Sequence, residues 1–176
     1  GKPGSKEDWR CQFSVLNDDA GAPYVDRQGQ GRLPLSLSIS HRGDWGLAAV
    51  ALVPGASIGA DLETVEPRDP ALVRQFFSES EAERVAKTGG GDVDRTVARI
   101  WSAKEAVLKA MGLGLRHDTR DIEVGAEIAA PPGLAEAWRA LDIRLAPVLA
   151  ARTTPRSLTV LWRDLEAHVV TVALLM

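Results

Sequence analysis

The sequence carries a single cysteine, Cys11. One thiol excludes an intramolecular disulfide, Cys-x-x-Cys redox chemistry and a cysteine-rich zinc site together. Long apolar runs are missing as well. The longest, residues 46–53 and 169–176, fall far short of the roughly 18 residues that a membrane-spanning helix needs. The first residues have no signal-peptide pattern. Nor is there a surplus of positive charge: 21 Lys and Arg stand against 24 Asp and Glu, a net charge of −3, which argues against a globally polycationic nucleic-acid binder. There is no internal repeat and no low-complexity tract. The expectation is a cytoplasmic protein that binds neither membrane nor nucleic acid. Its 176 residues, 45% of them hydrophobic, suit one single-core domain.

Residues 1–34 are rich in Gly, Pro, Asp, Gln and Arg and read as an irregular segment with one or two short strands. Leu35, Leu37 and Ile39 then alternate with Ser36, Ser38 and Ser40, the period of two of a strand with one buried face. Residues 46–53 read as a strand buried on both faces, and residues 57–63 alternate again. In that third strand Ile58, Ala60 and Leu62 share one face, and Gly59, Asp61 and Glu63 the other. Asp69-Pro70 opens a short helix. Ser78-Glu79-Ser80-Glu81 has the form of a capping box and opens a second, which fades into Gly89-Gly90-Gly91. Residues 93–111 carry apolar side chains at helical period and stop at Gly112, predicting the longest helix. The tail alternates strand-like runs at 122–124, 143–145, 158–162 and 169–175 with an Ala-rich, helical piece around 134–141. The class is α+β, a mainly antiparallel sheet packed against a long helix.

Several side chains could carry chemistry. Asp61 and Glu63 share a strand face, with Gly59 before them leaving room for a ligand. They form half of a hard-metal site or, more blandly, a solvated acidic pair. Glu105 and Lys109 stand four apart on the long helix, with Trp101 one turn earlier; an ordinary ion pair of this kind contributes only about 0.2 to 0.5 kcal/mol. His41, between Ser40 and Arg42, is either a phosphate contact or a turn residue. Glu81 is either a proton acceptor or the N3 carboxylate of its own capping box. Between residues 95 and 120, six basic side chains (Arg95, Arg99, Lys104, Lys109, Arg116, Arg120) face only Glu105 and Asp118, a local basic strip. Arg42-Gly43-Asp44 spells a cell-adhesion tripeptide by accident.

These elements occur together and in one order. Ser38-Ile39-Ser40-His41, Ile58-Gly59-Ala60-Asp61-Leu62-Glu63, Phe76-Phe77-Ser78-Glu79-Ser80-Glu81 and the run from Trp101-Ser102-Ala103-Lys104-Glu105 through Lys109 to Gly114-Leu115 resemble the motif series of the 4′-phosphopantetheinyl transferases, nearest the surfactin-synthetase-activating type. The resemblance covers residues 18–124. It implies that fold and an enzyme that moves the phosphopantetheine arm of coenzyme A to a serine of an apo acyl or peptidyl carrier protein, releasing adenosine 3′,5′-bisphosphate with magnesium. It further implies Asp61, Glu63 and Glu105 as metal ligands, an oxygen set that suits magnesium. Ser40, His41, Arg42, Lys104 and Lys109 would meet coenzyme A. Glu81, Glu105 and Lys109 would be catalytic, with Glu81 as base. Trp101 would pack under the helix and position Glu105, and the carrier protein would dock near Phe76-Phe77 and residues 111–116.

Two departures stand out. Gly21-Ala22-Pro23 lies where many relatives have Gly-Lys-Pro, so either Arg27, Arg32 or Arg42 takes the 3′-phosphate or coenzyme A binds more weakly. The length falls between a short trimeric type and a two-lobed type, and the chain starts at Gly1. The expectation is a tag remnant or a domain cut from a larger synthase, serving a fatty acid, polyketide or nonribosomal peptide pathway that the residues do not specify, with a missing half-site supplied by self-association as dimer or trimer, or by an absent flank. The rival readings are a non-catalytic carrier-binding module and a magnesium-dependent pyrophosphate hydrolase.

Overall fold

The computed structural model describes residues 12–114, 117–153 and 156–176; Cys11, Leu115 and Arg116 lie outside them. Strands β1 (Phe13–Asn17), β2 (Pro23–Arg27) and β3 (Gly31–Arg32) form a small antiparallel sheet, one strand more than the composition of this segment suggests. β4 (Ser36–Arg42) and β5 (Trp45–Ala51) make a hairpin through Gly43-Asp44, where Gly43 takes a φ of 56° that a side chain would disfavour. β6 (Ser57–Thr64) is the edge of the main sheet. Helices α1 (Pro70–Phe76), α2 (Glu79–Lys87) and α3 (Val93–Ala110) follow, then β7 (Ile122–Ile128), β8 (Arg139–Leu145), α4 (Pro147–Thr153), β9 (Leu158–Leu165) and β10 (His168–Leu175). The main sheet has the order β6-β10-β9-β8-β7, antiparallel throughout.

The helix starts are set as the sequence predicts. Asp69 caps α1 by accepting from the Ala71 N–H at 2.7 Å, with Pro70 in the first turn. Ser78 and Glu81 close a reciprocal capping box on α2. α3 ends where Gly112 turns to φ 67°, letting the Leu113 N–H reach the Leu108 carbonyl. Its buried face (Ile100, Ala103, Ala106, Val107, Ala110) meets Ile122, Val124, Val160, Val169 and Ala173 of the sheet in one core.

Four expectations are corrected. First, the buried face of β4 is the serine face: Ser38 and Ser40 are buried and Ile39 is 44% exposed. β6 pairs with β10 along one edge only. Its other edge presents the N–H groups of Ile58, Ala60 and Leu62, which donate to the hydroxyls of Ser36, Ser38 and Ser40 at 3.0, 2.9 and 3.3 Å. Leaving buried donors unpaired would be costly, and here side chains take the place of a neighbouring strand. Second, β5 is largely exposed, because it pairs with β4 alone; Val50 is 47% exposed. Third, Gly59 makes room for a helix, not a ligand: a Cβ there would lie 1.9 Å from the Ala106 carbonyl oxygen and 2.4 Å from the Ala110 nitrogen. Fourth, residues 134–141 are not helical. Trp138 closes a turn onto Ala135, and residues 139–141 pair with β9, so strand pairing overrides alanine's helix propensity. The tail's helix is instead α4, opened by Pro147.

Candidate active site

The close contact at Gly59 draws β6 and α3 together, and two residues further on Asp61 faces Glu105 and Lys109. Asp61 is 2% exposed. Its Oδ1 accepts from the Ser40 hydroxyl at 2.9 Å and from Lys109 Nζ at 2.7 Å. The same ammonium donates to the Ala60 carbonyl at 3.1 Å and lies 3.7 Å from Glu105 Oε2. Asp61 Oδ2 is buried with no hydrogen-bond partner. Burial and the neighbouring Asp61 carboxylate push the Glu105 carboxyl up to about 7, against the opposing pull of Lys109. A carboxyl pair with one member buried and the other largely so, sharing one lysine, is thus short of positive charge.

Glu63 is on the same strand but turned aside. Its Oε2 accepts from Arg68 at 2.5 Å and lies 3.4 Å from Arg42. Burial, then Asp61, raises its carboxyl above the usual range, and the two arginines hold it back. Among the described residues no three acidic or imidazole side chains form a ready metal cluster; the acids that the structure brings together are Asp61 and Glu105. The fit to a divalent cation is nonetheless good. An orphaned buried carboxylate oxygen beside a second carboxyl offers hard oxygen donors, and magnesium is commonly held by one or two carboxylates plus phosphate oxygens and water.

Two candidates lie elsewhere. Glu81 is fully buried. Its Oε2 accepts from the Ser78 N–H at 2.7 Å and lies 2.8 Å from Lys104 Nζ, while Oε1 accepts from the Val124 N–H at 2.7 Å. Both oxygens are engaged, so Glu81 is the capping residue and no open proton acceptor. Lys104 is equally buried, donating to the carbonyls of Thr119 and Ile122 at 2.8 and 2.5 Å; it ties α3 to α2 and β7 and has no face left for coenzyme A. The basic strip also disperses: Arg95 pairs with Asp164, Arg99 with Glu127 and Arg120 with Asp118. Phe77 is core at 4% exposure. Phe76, more open, leans on Trp101 with ring centres 5.3 Å apart, so Trp101 lines a surface pocket of about 570 Å³ with Phe76 and Arg120.

His41 is exposed at the end of β4, and Arg42 also approaches Glu66. Beside the acids opens a cleft of about 220 Å³ lined by Gly21, Ala22, Pro23, Leu37, Ile39 and Lys109 among others. Arg68 is the site residue that sequence reasoning missed. Its only signal was a cation a few residues beyond Glu63, and nothing in its spacing says that the loop folds back.

The fold agrees with what the chain resembles. Residues 57–169 match the 4′-phosphopantetheinyl transferase superfamily, and the chain belongs to it. The 4′-phosphopantetheinyl transferase psf-1 of Bacillus pumilus is 32% identical over 81 residues, 46% of this chain and 34% of the relative. HetI of Nostoc sp., also a 4′-phosphopantetheinyl transferase, is 31% identical over 131 residues, 72% of this chain and 53% of the relative. The chain thus spans about a third to a half of the length of these relatives. Among solved structures, the holo-[acyl-carrier-protein] synthase of Neisseria meningitidis superposes with a TM-score of 0.53 at 20% identity, covering 68% of this chain and 97% of that one. The synthase of Bacillus anthracis, solved in complex with coenzyme A (3′,5′-ADP), gives 0.52 at 19% identity, covering 68% of this chain and 94% of that one. These likenesses show the fold.

Proposed function

We propose that the chain transfers the 4′-phosphopantetheine arm of coenzyme A to a serine of an apo acyl or peptidyl carrier protein, releasing adenosine 3′,5′-bisphosphate. The observation that carries the reading is the Asp61–Lys109–Glu105 cluster, whose lysine lines the cleft, with Asp61 Oδ2 buried and unpartnered. Asp61 and Glu105 would hold magnesium, which supplies charge neutralisation on the pyrophosphate when bound; Glu63 joins them only if it leaves Arg68 and Arg42. Lys109, 30% exposed, would meet a phosphate oxygen, and Arg42 would bring further positive charge at the end of β4, with His41 exposed beside it. The attacking serine gives its proton to the acidic cluster rather than to Glu81, whose oxygens are taken.

The carrier protein docks at the pocket of Phe76 and Trp101, where the two rings suit the apolar face of an amphipathic helix. The reaction belongs in the cytoplasm; no helix among the described residues is long and apolar enough to cross a membrane. The exposed apolar side chains of the β4–β5 hairpin, Ile39, Trp45 and Val50, are suited to an interface in a dimer or trimer, which light scattering after size exclusion would detect. The decisive test is to incubate the protein with coenzyme A, magnesium and an apo carrier protein and weigh the carrier. A mass gain of one phosphopantetheine is expected. No gain refutes the reading, and coenzyme A breakdown without gain identifies a hydrolase.

A further inference from the structure

The serine ladder of β4 performs the same task three times and a second task once. Ser36, Ser38 and Ser40 each accept from an amide of β6, so all three fasten the hairpin to the sheet edge. Only Ser40 has a carboxylate for its proton, Asp61 Oδ1 at 2.9 Å. A serine hydroxyl has one proton to give. With its acceptor side directed at the Leu62 N–H and its proton at Asp61, the hydroxyl of Ser40 has a fixed orientation. Lys109 takes the other direction on Oδ1. Both donors therefore fall on one oxygen, and the second, Oδ2, is left buried without a donor, with the Glu105 carboxyl beside Asp61.

We propose that Ser40 is a positioning residue that locks the rotation of the Asp61 carboxylate so that Oδ2 is kept free for the metal. This rests on the magnesium reading of the site. It differs from a direct contact between Ser40 and coenzyme A, because a hydroxyl oriented by Asp61 and Leu62 has its proton already committed. Outer partners of metal-ligating carboxylates fix ligand orientation, and losing one typically costs about 10- to 100-fold in metal affinity.

The ladder supplies its own controls. Ser40→Ala, Ser38→Ala and Ser36→Ala each leave one β6 amide without its hydroxyl, so all three should lower the melting temperature. Only Ser40→Ala releases Asp61. Magnesium binding in the absence of coenzyme A, followed by calorimetry or by the rise in melting temperature with magnesium chloride, should weaken about tenfold or more in Ser40→Ala. It should change by less than about twofold in Ser36→Ala and Ser38→Ala, and Ser40→Thr, which keeps the hydroxyl, should restore it. Equal weakening in Ser38→Ala, or unchanged magnesium binding in Ser40→Ala with only the KM for coenzyme A raised, overturns the proposal while leaving the function standing. A wild-type protein that binds no magnesium removes the metal reading and this proposal with it. If Ser40→Ala does not fold, Ser40→Thr and Ser40→Cys decide by the same titration: magnesium affinity must follow the ability to donate to Asp61.

Discussion

Glu105→Gln should make the metal-free protein more stable at alkaline pH while abolishing transfer. The Glu105 carboxyl is pushed from 4.5 to about 7, chiefly by burial and by Asp61. A raised acid binds its proton more tightly in the folded state than in the unfolded one. Its contribution is therefore complete below about 4.5, is lost as pH rises towards 7, and is absent above. At about 1.36 kcal/mol per tenfold change in proton affinity, that interval corresponds to roughly 3 kcal/mol. The side chain keeps 19% exposure and Lys109 stands 3.7 Å away, so about 1 to 2 kcal/mol is the realistic share. For a chain of this length each kcal/mol moves the melting temperature by about 2 to 4 °C. Thermal unfolding with EDTA, from pH 5 to pH 9, should therefore show the variant gaining about 2 to 8 °C on the wild type at the alkaline end and little or nothing at pH 5. Saturating magnesium should close the gap by stabilising only the wild type, by about 2.7 kcal/mol at a hundredfold excess over its Kd. A variant less stable than the wild type at pH 9 in EDTA, or a gap that narrows with rising pH, would refute the reasoning.

Four further outcomes are expected. Asp61→Asn should keep the melting temperature within a few degrees and lose transfer in the carrier-mass assay, because it removes a metal oxygen donor without removing volume. Lys104→Met should cost about 3 to 5 kcal/mol by leaving the Glu81 charge buried and alone, and Glu81→Gln added to it should recover much of the loss in urea unfolding; equal damage in single and double variants would contradict the buried pairing. Gly59→Ala should cost more than the 1 to 3 kcal/mol typical of an overpacked core and reduce transfer with it, since its methyl meets backbone rather than a movable side chain. Phe76→Ala should raise the KM for the carrier protein and leave that for coenzyme A unchanged.

What was legible in the sequence was what local chemistry dictates. The caps at Asp69 and Ser78, the extent of α3 and the strands at 57–63 and 169–175 follow from side chains acting on their own backbone or from a plain period. The pairing of Asp61 with Glu105 and Lys109 was legible only through the motif series, since nothing local joins residues separated by 44 or 48 positions. Misreadings arose where the partner is distant. Alternation in β4 was read as leucine-in because apolar side chains usually go inward. The unpaired amides of β6 reverse the choice, and no residue of β4 announces that a bare sheet edge awaits it. Glu81 offered two readings. Its burial against Val124 and Lys104, 43 and 23 positions away, occupies both oxygens and supports the capping one.

Lys104 and Glu105 are neighbours in sequence, yet successive residues on a helix point about 100° apart. One enters the ion pair beneath α2 and β7, while the other stands beside Lys109 at a small surface pocket. The Trp-x-x-Lys-Glu-x-x-x-Lys string is therefore a fastener and a tool read along one line. A protein engineer who moved only this helix onto another sheet would transplant the acid and the ammonium without the clamp that sets their angle. The smallest portable unit extends from the Ser78 cap to the Val124 amide, together with the β6 edge and its serines.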